Sequence, residues 1–424
     1  MRITIDKQEA FVDEKIHIAV SELPANRLLK ASLTMELPWC SGEEFSSYAV
    51  FQVDESGIVD FYQAVPVEGS YHTADSMGLI YSVKQSKSVG KNIVQGIGVE
   101  NPILIKLIVE SSSEKREVTL TRNFKSNDLI IKLIHEDFNG VLFYPQIPAE
   151  KTILMLGGSD GQLDALSLMA APIASRGFNV LTVPYFGAEG LPEKLEEVPL
   201  EYFETIFRWL ENNEITKVKE IYLHGTSKGG ELALLLASRY PQIKKVAAVE
   251  PHVYCFQALD GLASGKNASS WSYQGKSIPF IPVDNAIFFE EQKKAVKEGV
   301  PFGFASTYQK SIEKAENREE ARIKIENSEA DFLLIYGEKD NIWNSYDACK
   351  EILQVFKENK YSHSVQILPY KDMGHPIPVP FVVPISITLE MPMNGGVFTS
   401  GGTIEGNAKG QYESFQKTIA FFQQ

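Results

Sequence analysis

Cysteine is scarce in this chain, with three in 424 residues, Cys40, Cys255 and Cys349. Three widely spaced thiols make neither a disulfide framework nor a zinc pattern, so separate thiols are expected and no metal site is. Long apolar runs are missing as well. No stretch approaches the ~20 apolar residues that cross a bilayer, and Met1–Lys7 lacks the apolar core of a signal peptide. A cytoplasmic protein with no membrane partner is the expectation. Positive charge is in deficit, 41 Lys and Arg against 55 Asp and Glu, a formal net charge of −14. That balance excludes a general nucleic-acid binder, which needs a basic face, but not a local basic pocket for an anionic small ligand. Histidine is limited to seven positions, which makes a search for a catalytic base tractable. No internal repeat or low-complexity tract is visible.

What is present reads as two units, since 424 residues exceed what one core usually supports. Residues 1–125 carry short alternating strand patterns, among them Ile16–Val20, Ala31–Leu37, Ala49–Val53, Ile103–Glu110 and Glu117–Arg122, separated by turn residues. The spacing suggests an antiparallel sandwich of immunoglobulin-like type without the antibody disulfide. No catalytic cluster occurs there, so a structural or gating role is expected. Lys125–Pro145 reads as the crossing and a hairpin. From Thr152 strands and helices alternate, which makes 126–424 an α/β domain with a mostly parallel sheet. Residues 251–328 are less regular, with a charged helix-like run at Tyr308–Asn327, and read as an insertion or lid over the strand ends.

The centre of this second unit is Glu220–Pro251. Ile221–His224 forms a strand, Gly225-Thr226-Ser227-Lys228-Gly229 a turn, and Gly230–Tyr240 a helix stopped by Pro241. Strand, G-x-S-x-G and helix in that order are the setting of a nucleophile elbow in an α/β-hydrolase. There the serine sits on a strained turn and the helix N-terminus favours a developing oxyanion. A second match, Gly157-Gly158-Ser159-Asp160-Gly161, follows the strand Ile153–Leu156. The earlier glycine-rich loop normally supplies an oxyanion N–H and the later turn the nucleophile. Ser227 is therefore the expected nucleophile, and the N–H of Gly158 or Ser159 is expected to join that of Lys228 as oxyanion donors. The Lys228 side chain reads equally as a contact to an anionic substrate or as an ordinary surface lysine.

A serine hydroxyl needs a base and an acid that orients it, in the chain order nucleophile, acid, histidine. Only His252, His363 and His375 follow Ser227, and only the last two follow the strand Phe332–Tyr336. His363 precedes the strand Ser364–Leu368 and sits at its far end. His375 follows that strand beside Gly374, where active sites lie, and is the expected base. The acid belongs in Gly337–Asn341. Asp340 is preferred, with Glu338 and Asp347 as alternatives, and Asp331 is at the wrong end of its strand.

Several segments resemble the acyl-CoA thioesterase and bile acid-CoA:amino acid N-acyltransferase family, over nearly the whole length. They are Gly69-Ser70-Tyr71, Met77-Gly78-Leu79 and Tyr81-Ser82 in the first unit. In the second they are Val183-Pro184-Tyr185, Leu200–Glu204, Gly225–Leu234, Asp340–Trp343 and Gly374-His375-Pro376. The resemblance implies a triad of Ser227, Asp340 and His375, in agreement with the reading from the residues. It also implies cleavage of an acyl-CoA thioester through an acyl-serine, with a small-molecule acyl-CoA or ester as substrate and no cofactor. Two departures stand out. Asp160 puts a carboxylate near the expected phosphates of CoA. The amino-acid-conjugating branch usually carries cysteine as nucleophile, whereas serine favours hydrolysis. Transfer to an amino acid, or esterase or peptidase chemistry, are the alternatives.

Overall fold

A computed structural model describes the chain except for residues 41, 89–97, 160, 162, 217–219 and 262. The first half of the sequence alternates apolar and polar residues, and its strands bury every second side chain. Leu28–Glu36, Glu44–Gln52 and Ile103–Glu110 pair antiparallel, with Leu29, Leu33, Phe45, Phe51, Ile105 and Leu107 turned inward and completely or nearly completely buried. Lys115–Asn123 continues this sheet beside Ile103–Glu110, and Glu9–Phe11 joins it as a parallel edge. A smaller three-stranded sheet is built from Arg2–Ile5, Ile18–Ser21 and Val59–Asp60. The period of two, with one face covered, accounts for the alternation.

The second half forms one eight-stranded sheet. Its strands are β1 (Leu129–His135), β2 (Asn139–Pro145), β3 (Thr152–Leu156), β4 (Asn179–Thr182), β5 (Ile221–Thr226), β6 (Ile243–Val249), β7 (Asp331–Gly337) and β8 (Val365–Tyr370), in the order β1-β2-β4-β3-β5-β6-β7-β8. The hairpin β1–β2 is antiparallel, as is the β2–β4 pairing, and β4 through β8 run parallel. Burial on both faces explains why β3 and β4 have no exposed residue and why β3 after Thr152 reads as a continuous apolar run. Helices α1 (Leu163–Ala174), α2 (Glu201–Asn212), α3 (Lys228–Ala237), α4 (Ser345–Glu358) and α5 (Ile404–Gln423) cover the sheet. On α2 the buried Phe203, Ile206, Phe207 and Leu210 recur at helical spacing. Its first turn carries Glu201 and Glu204, which suit the positive helix end.

The two halves share an apolar cluster in which Phe124 and Leu129 meet residues of α1 and α5. Asp13, 1% exposed, is gripped by both Oδ atoms through Arg176 at 2.8 and 2.6 Å. Gln416 of α5 adds a contact at 3.2 Å. Ser386 donates to the carbonyl of Val83 at 2.8 Å. The C-terminal carbonyls of α5 are met by Lys245, at 2.8 Å from Phe421 O, and Lys151, at 3.0 Å from Phe422 O.

The segment from residue 251 to 328 carries short hairpins, a helix at Asn285–Glu298 and another at Ala305–Lys314. The run Tyr308–Asn327 is not one helix: it breaks after Lys314 and resumes as single turns at Arg318–Ala321 and Ile325–Asn327. Burial of Ala321, Ile323 and Ile325 against the sheet helices overrides the charged helical pattern. No helix among the described residues is long and apolar enough to cross a membrane.

Candidate active site

The parallel strands β5, β6, β7 and β8 end on one rim of the sheet, and each delivers one polar side chain there: Ser227, Glu250, Asp340 and His375 in that order. Ser227 has φ 56° and ψ −121°, a conformation that costs a non-glycine residue about 1–3 kcal/mol. Its backbone N–H is held by Val249 O at 2.9 Å, and its carbonyl accepts from Gly230 and Glu231 at 2.8 and 3.1 Å. The turn is therefore fixed on both sides. Gly229 explains the motif sterically, because a Cβ there would lie 2.2 Å from Gly157 O and 2.5 Å from Leu156 O. This contact brings the two glycine-rich loops together at backbone distance. Among the described residues the N–H groups of Lys228, Gly158 and Ser159 meet no acceptor. Tyr185 donates toward the carbonyls of Gly157 and Gly158, both at 2.7 Å, and so fixes the loop from behind. Asp160 lies outside the described residues.

Asp340 and His375 come together. Asp340 is 8% exposed, and its Oδ1 accepts from Ile342 N at 2.9 Å while Oδ2 accepts from Ser345 N at 3.1 Å. His375 Nδ1 lies 3.0 Å from the same Oδ2, close enough for an ion pair although the ring N–H does not point squarely at the oxygen. Burial works to raise the Asp340 pKa, but the His375 charge and these hydrogen bonds outweigh it and hold the carboxyl below its ordinary value. Glu338 is exposed on the same loop, and the Asp347 carboxylate faces Asn344 and Lys350 at the start of α4. Asp331 sits at the start of β7 and His363 before β8, both at the opposite rim.

The fourth group was not read from the sequence. Glu250, the residue after β6, is wholly buried with φ 51°. Its Oε2 is 3.4 Å from His375 Nε2, and neither carboxyl oxygen has a hydrogen-bond partner among the described residues. Ser227 Oγ likewise takes part in no hydrogen bond among them. Burial pushes Glu250 up to about 8, relieved by His375 and reinforced by Asp340. Burial disfavours the imidazolium of His375, yet Asp340 and Glu250 together overcome this and raise the ring to about 9. The signal available was a charged residue ending an apolar strand one position beyond Val249, which by itself points to no partner.

Lys228 resolves neither way that its sequence allows. The side chain is 2% exposed and pairs with both Oε atoms of Glu231 at 2.8 Å. Trp271 donates to Glu231 Oε1 at 2.6 Å. A lysine on the first turn reaching an acid three residues on is an ordinary helix pair, and here Trp271 closes it from the insertion. The pair ties the elbow helix to the segment above it. His252 is buried among Tyr254, Phe256 and Trp343, with Nδ1 accepting from Tyr254 N at 3.2 Å. Burial holds it neutral, with a pKa near 3.

The loop of His375 depends on residues that sequence reasoning left unassigned. His375 N donates to Ser400 O at 3.0 Å, and Asn341 N reaches the same carbonyl at 3.2 Å. Asn407, 1% exposed, accepts from Gly374 N at 2.8 Å and donates to Gly401 O at 3.2 Å. A Cβ on Gly374 would lie 2.1 Å from Gly401 O. The insertion joins the same place, because Phe304 N and Ala305 N both donate to Asn341 O, at 2.9 and 3.1 Å. Among the described residues no three His, Cys, Asp or Glu side chains cluster to hold a metal ion. The arrangement offers a strained serine, free backbone donors and an imidazole between the Asp340 carboxylate and the Glu250 carboxyl group, a set suited to acyl transfer.

Residues 198–424 match the family described as BAAT / acyl-CoA thioester hydrolase C terminal, and residues 13–136 match that described as acyl-CoA thioester hydrolase/BAAT N-terminal region. The chain is 26% identical over 442 residues to bile acid-CoA:amino acid N-acyltransferase of Mus musculus, covering 100% of this chain and 97% of the relative. It is 25% identical over 433 residues to acyl-coenzyme A thioesterase 1 of Homo sapiens, covering 97% and 93%. Among solved structures, Pyrococcus horikoshii acylaminoacyl peptidase aligns with a TM-score of 0.44 at 14% identity, over 98% of this chain and 59% of that one.

Proposed function

Because the chain belongs to the BAAT/acyl-CoA thioester hydrolase family, we propose that it is a serine hydrolase that cleaves acyl-CoA thioesters by way of an acyl-serine. Ser227 Oγ attacks the thioester carbonyl and gives its proton to His375 Nε2, while Asp340 holds the Nδ1 side of the ring. The carbonyl oxygen, now negative, is received by the N–H of Lys228 and that of Gly158 or Ser159. Collapse of the tetrahedral species breaks the C–S bond, and the leaving thiolate of CoA takes the proton from His375. A water molecule then gives a proton to His375 and attacks the acyl-serine; collapse breaks the ester C–O bond, His375 returns the proton to Ser227 Oγ, and the fatty acid leaves. The single observation that carries this reading is the strained Ser227 turn on the same strand rim as an ion-paired His375–Asp340.

In the same reading 1–125 is an immunoglobulin-like sandwich with a structural or gating role, and 126–424 is the catalytic unit with 251–328 as its lid. The Lys228–Glu231–Trp271 contact supports a lid seated directly on the elbow helix. A cytoplasmic setting accords with three buried cysteines that form no disulfide. The test is a panel of acyl-CoAs of graded length and of simple nitrophenyl esters. Thiol release from acyl-CoA at rates above the esters is expected. Ester hydrolysis without thiol release would make the protein a carboxylesterase, and conjugates found by mass spectrometry when glycine or taurine is supplied would make it a transferase.

A further inference from the structure

The mechanism above leaves Glu250 without a task, and its position is costly. A carboxyl group with no hydrogen bond in a dry site is disfavoured by several kcal/mol in either a charged or an unpaired state. Its backbone adds strain, since φ is 51° at a residue that is not glycine. That conformation is held at both ends, by Glu250 N on Ile335 O at 2.7 Å and by Trp343 Nε1 on Glu250 O at 2.9 Å. Trp343 belongs to the loop of Asp340, so the fixing of Glu250 is built into the acid loop itself. What the side chain meets is the Nε2 edge of His375 at 3.4 Å, the edge that has to face Ser227.

We propose that Glu250 is a positioning residue: in the free enzyme its carboxyl group holds the Nε2 edge of His375, and the ring must leave it before Nε2 can take the Ser227 proton. The inference rests on the Ser227–His375–Asp340 reading. Glu250 stands on β6, between the strand of Ser227 and the strand of Asp340. In the triad reading the ring therefore has two alternative partners, Glu250 and Ser227, for one edge and a constant partner, Asp340, on the other. The remaining titratable groups near this cluster do not compete. His252 is neutral, burial pushes the Cys349 thiol facing Asp340 well up, and Lys228 is committed to Glu231.

The consequence has a sign. Once ionised, Glu250 at this distance favours the imidazolium, the form that cannot act as base, so serine reactivity is present above the ring's pKa and lost as pH falls through it. The experiment measures the second-order rate at which a fluorophosphonate labels Ser227, as a function of pH, for the native chain and for Glu250→Gln, which keeps the side-chain shape. Loss of the charge that Glu250 carries once ionised is expected to move the acid limb about 1–3 pH units lower, with the gain in labelling rate appearing above pH 8, where the native carboxyl is ionised. An unmoved limb, or one moved to higher pH, overturns the role of Glu250 while leaving the triad intact. Absence of labelling in the native chain at every pH overturns the triad reading and this inference with it. Histidine-ring ¹⁵N NMR of the native protein provides a readout that needs no variant. A His375 imidazolium persisting above pH 7 is expected, and a neutral ring at pH 7 contradicts the proposal.

Discussion

The serine side and the histidine side of the rim are built by opposite means. Ser227 is positioned within one strand–turn–helix unit, by Val249 O on its N–H and by the steric demand at Gly229. His375 is positioned by chain segments that lie far apart in sequence: Ser400 O on its N–H, Asn407 on Gly374, and Asp340 on its ring. A local device survives in a short motif, whereas an assembled one exists only once the chain has folded. The first therefore tolerates loss of its functional side chain, and the second does not tolerate loss of its supports.

The largest effect should follow from Ser227→Ala. Turnover of acyl-CoA should fall on the order of 10³-fold or more, with an unchanged melting temperature, because no hydrogen bond among the described residues uses the hydroxyl. A parallel drop in melting temperature would show that the elbow is not self-contained. Next comes Glu231→Ala, which strands the Lys228 charge in a dry site and should cost about 3–5 kcal/mol in urea unfolding. A loss under 1 kcal/mol would mean that the elbow and the insertion are not coupled through this pair.

Asn407→Ala leaves Gly374 N and Gly401 O unpaired and should cost about 1–3 kcal/mol, with kcat lowered and fluorophosphonate labelling slowed. If stability falls but labelling holds, the histidine loop does not depend on α5. The smallest effect belongs to Ser386→Ala between the halves, about 0.5–1.5 kcal/mol by thermal unfolding, with turnover preserved. Loss of turnover there would tie the N-terminal half to the site.

The same contrast explains what could be read in advance. The alternation of β3, β4, β7 and β8 with helices, and the serine on its turn, are local patterns carried by burial on both faces and by backbone sterics. Choosing His375 required only chain order and strand ends, since a residue after a parallel strand lies on the site rim. Glu250 escaped because nothing local distinguishes a charge that enters a site from one that leaves a strand for solvent. Lys228 escaped for a related reason: its partner Glu231 is visible at helical spacing, but Trp271, which shuts the pair away from water, comes from a distant segment. The break in Tyr308–Asn327 reflects tertiary burial overriding a charged helical pattern. The strand pair Glu390–Met393 and Gly396–Thr399, which leads into the Ser400 contact, carries too short a pattern to be recognised alone.

The central claim is that Ser227 carries the acyl group between CoA and water. Mixing the native chain with an acyl-CoA, quenching in acid within the first turnover and mapping the peptides by mass should find the acyl mass on Ser227 and on no other residue. Thiol release at full rate with Ser227 unmodified, or undiminished in Ser227→Ala, would contradict the account.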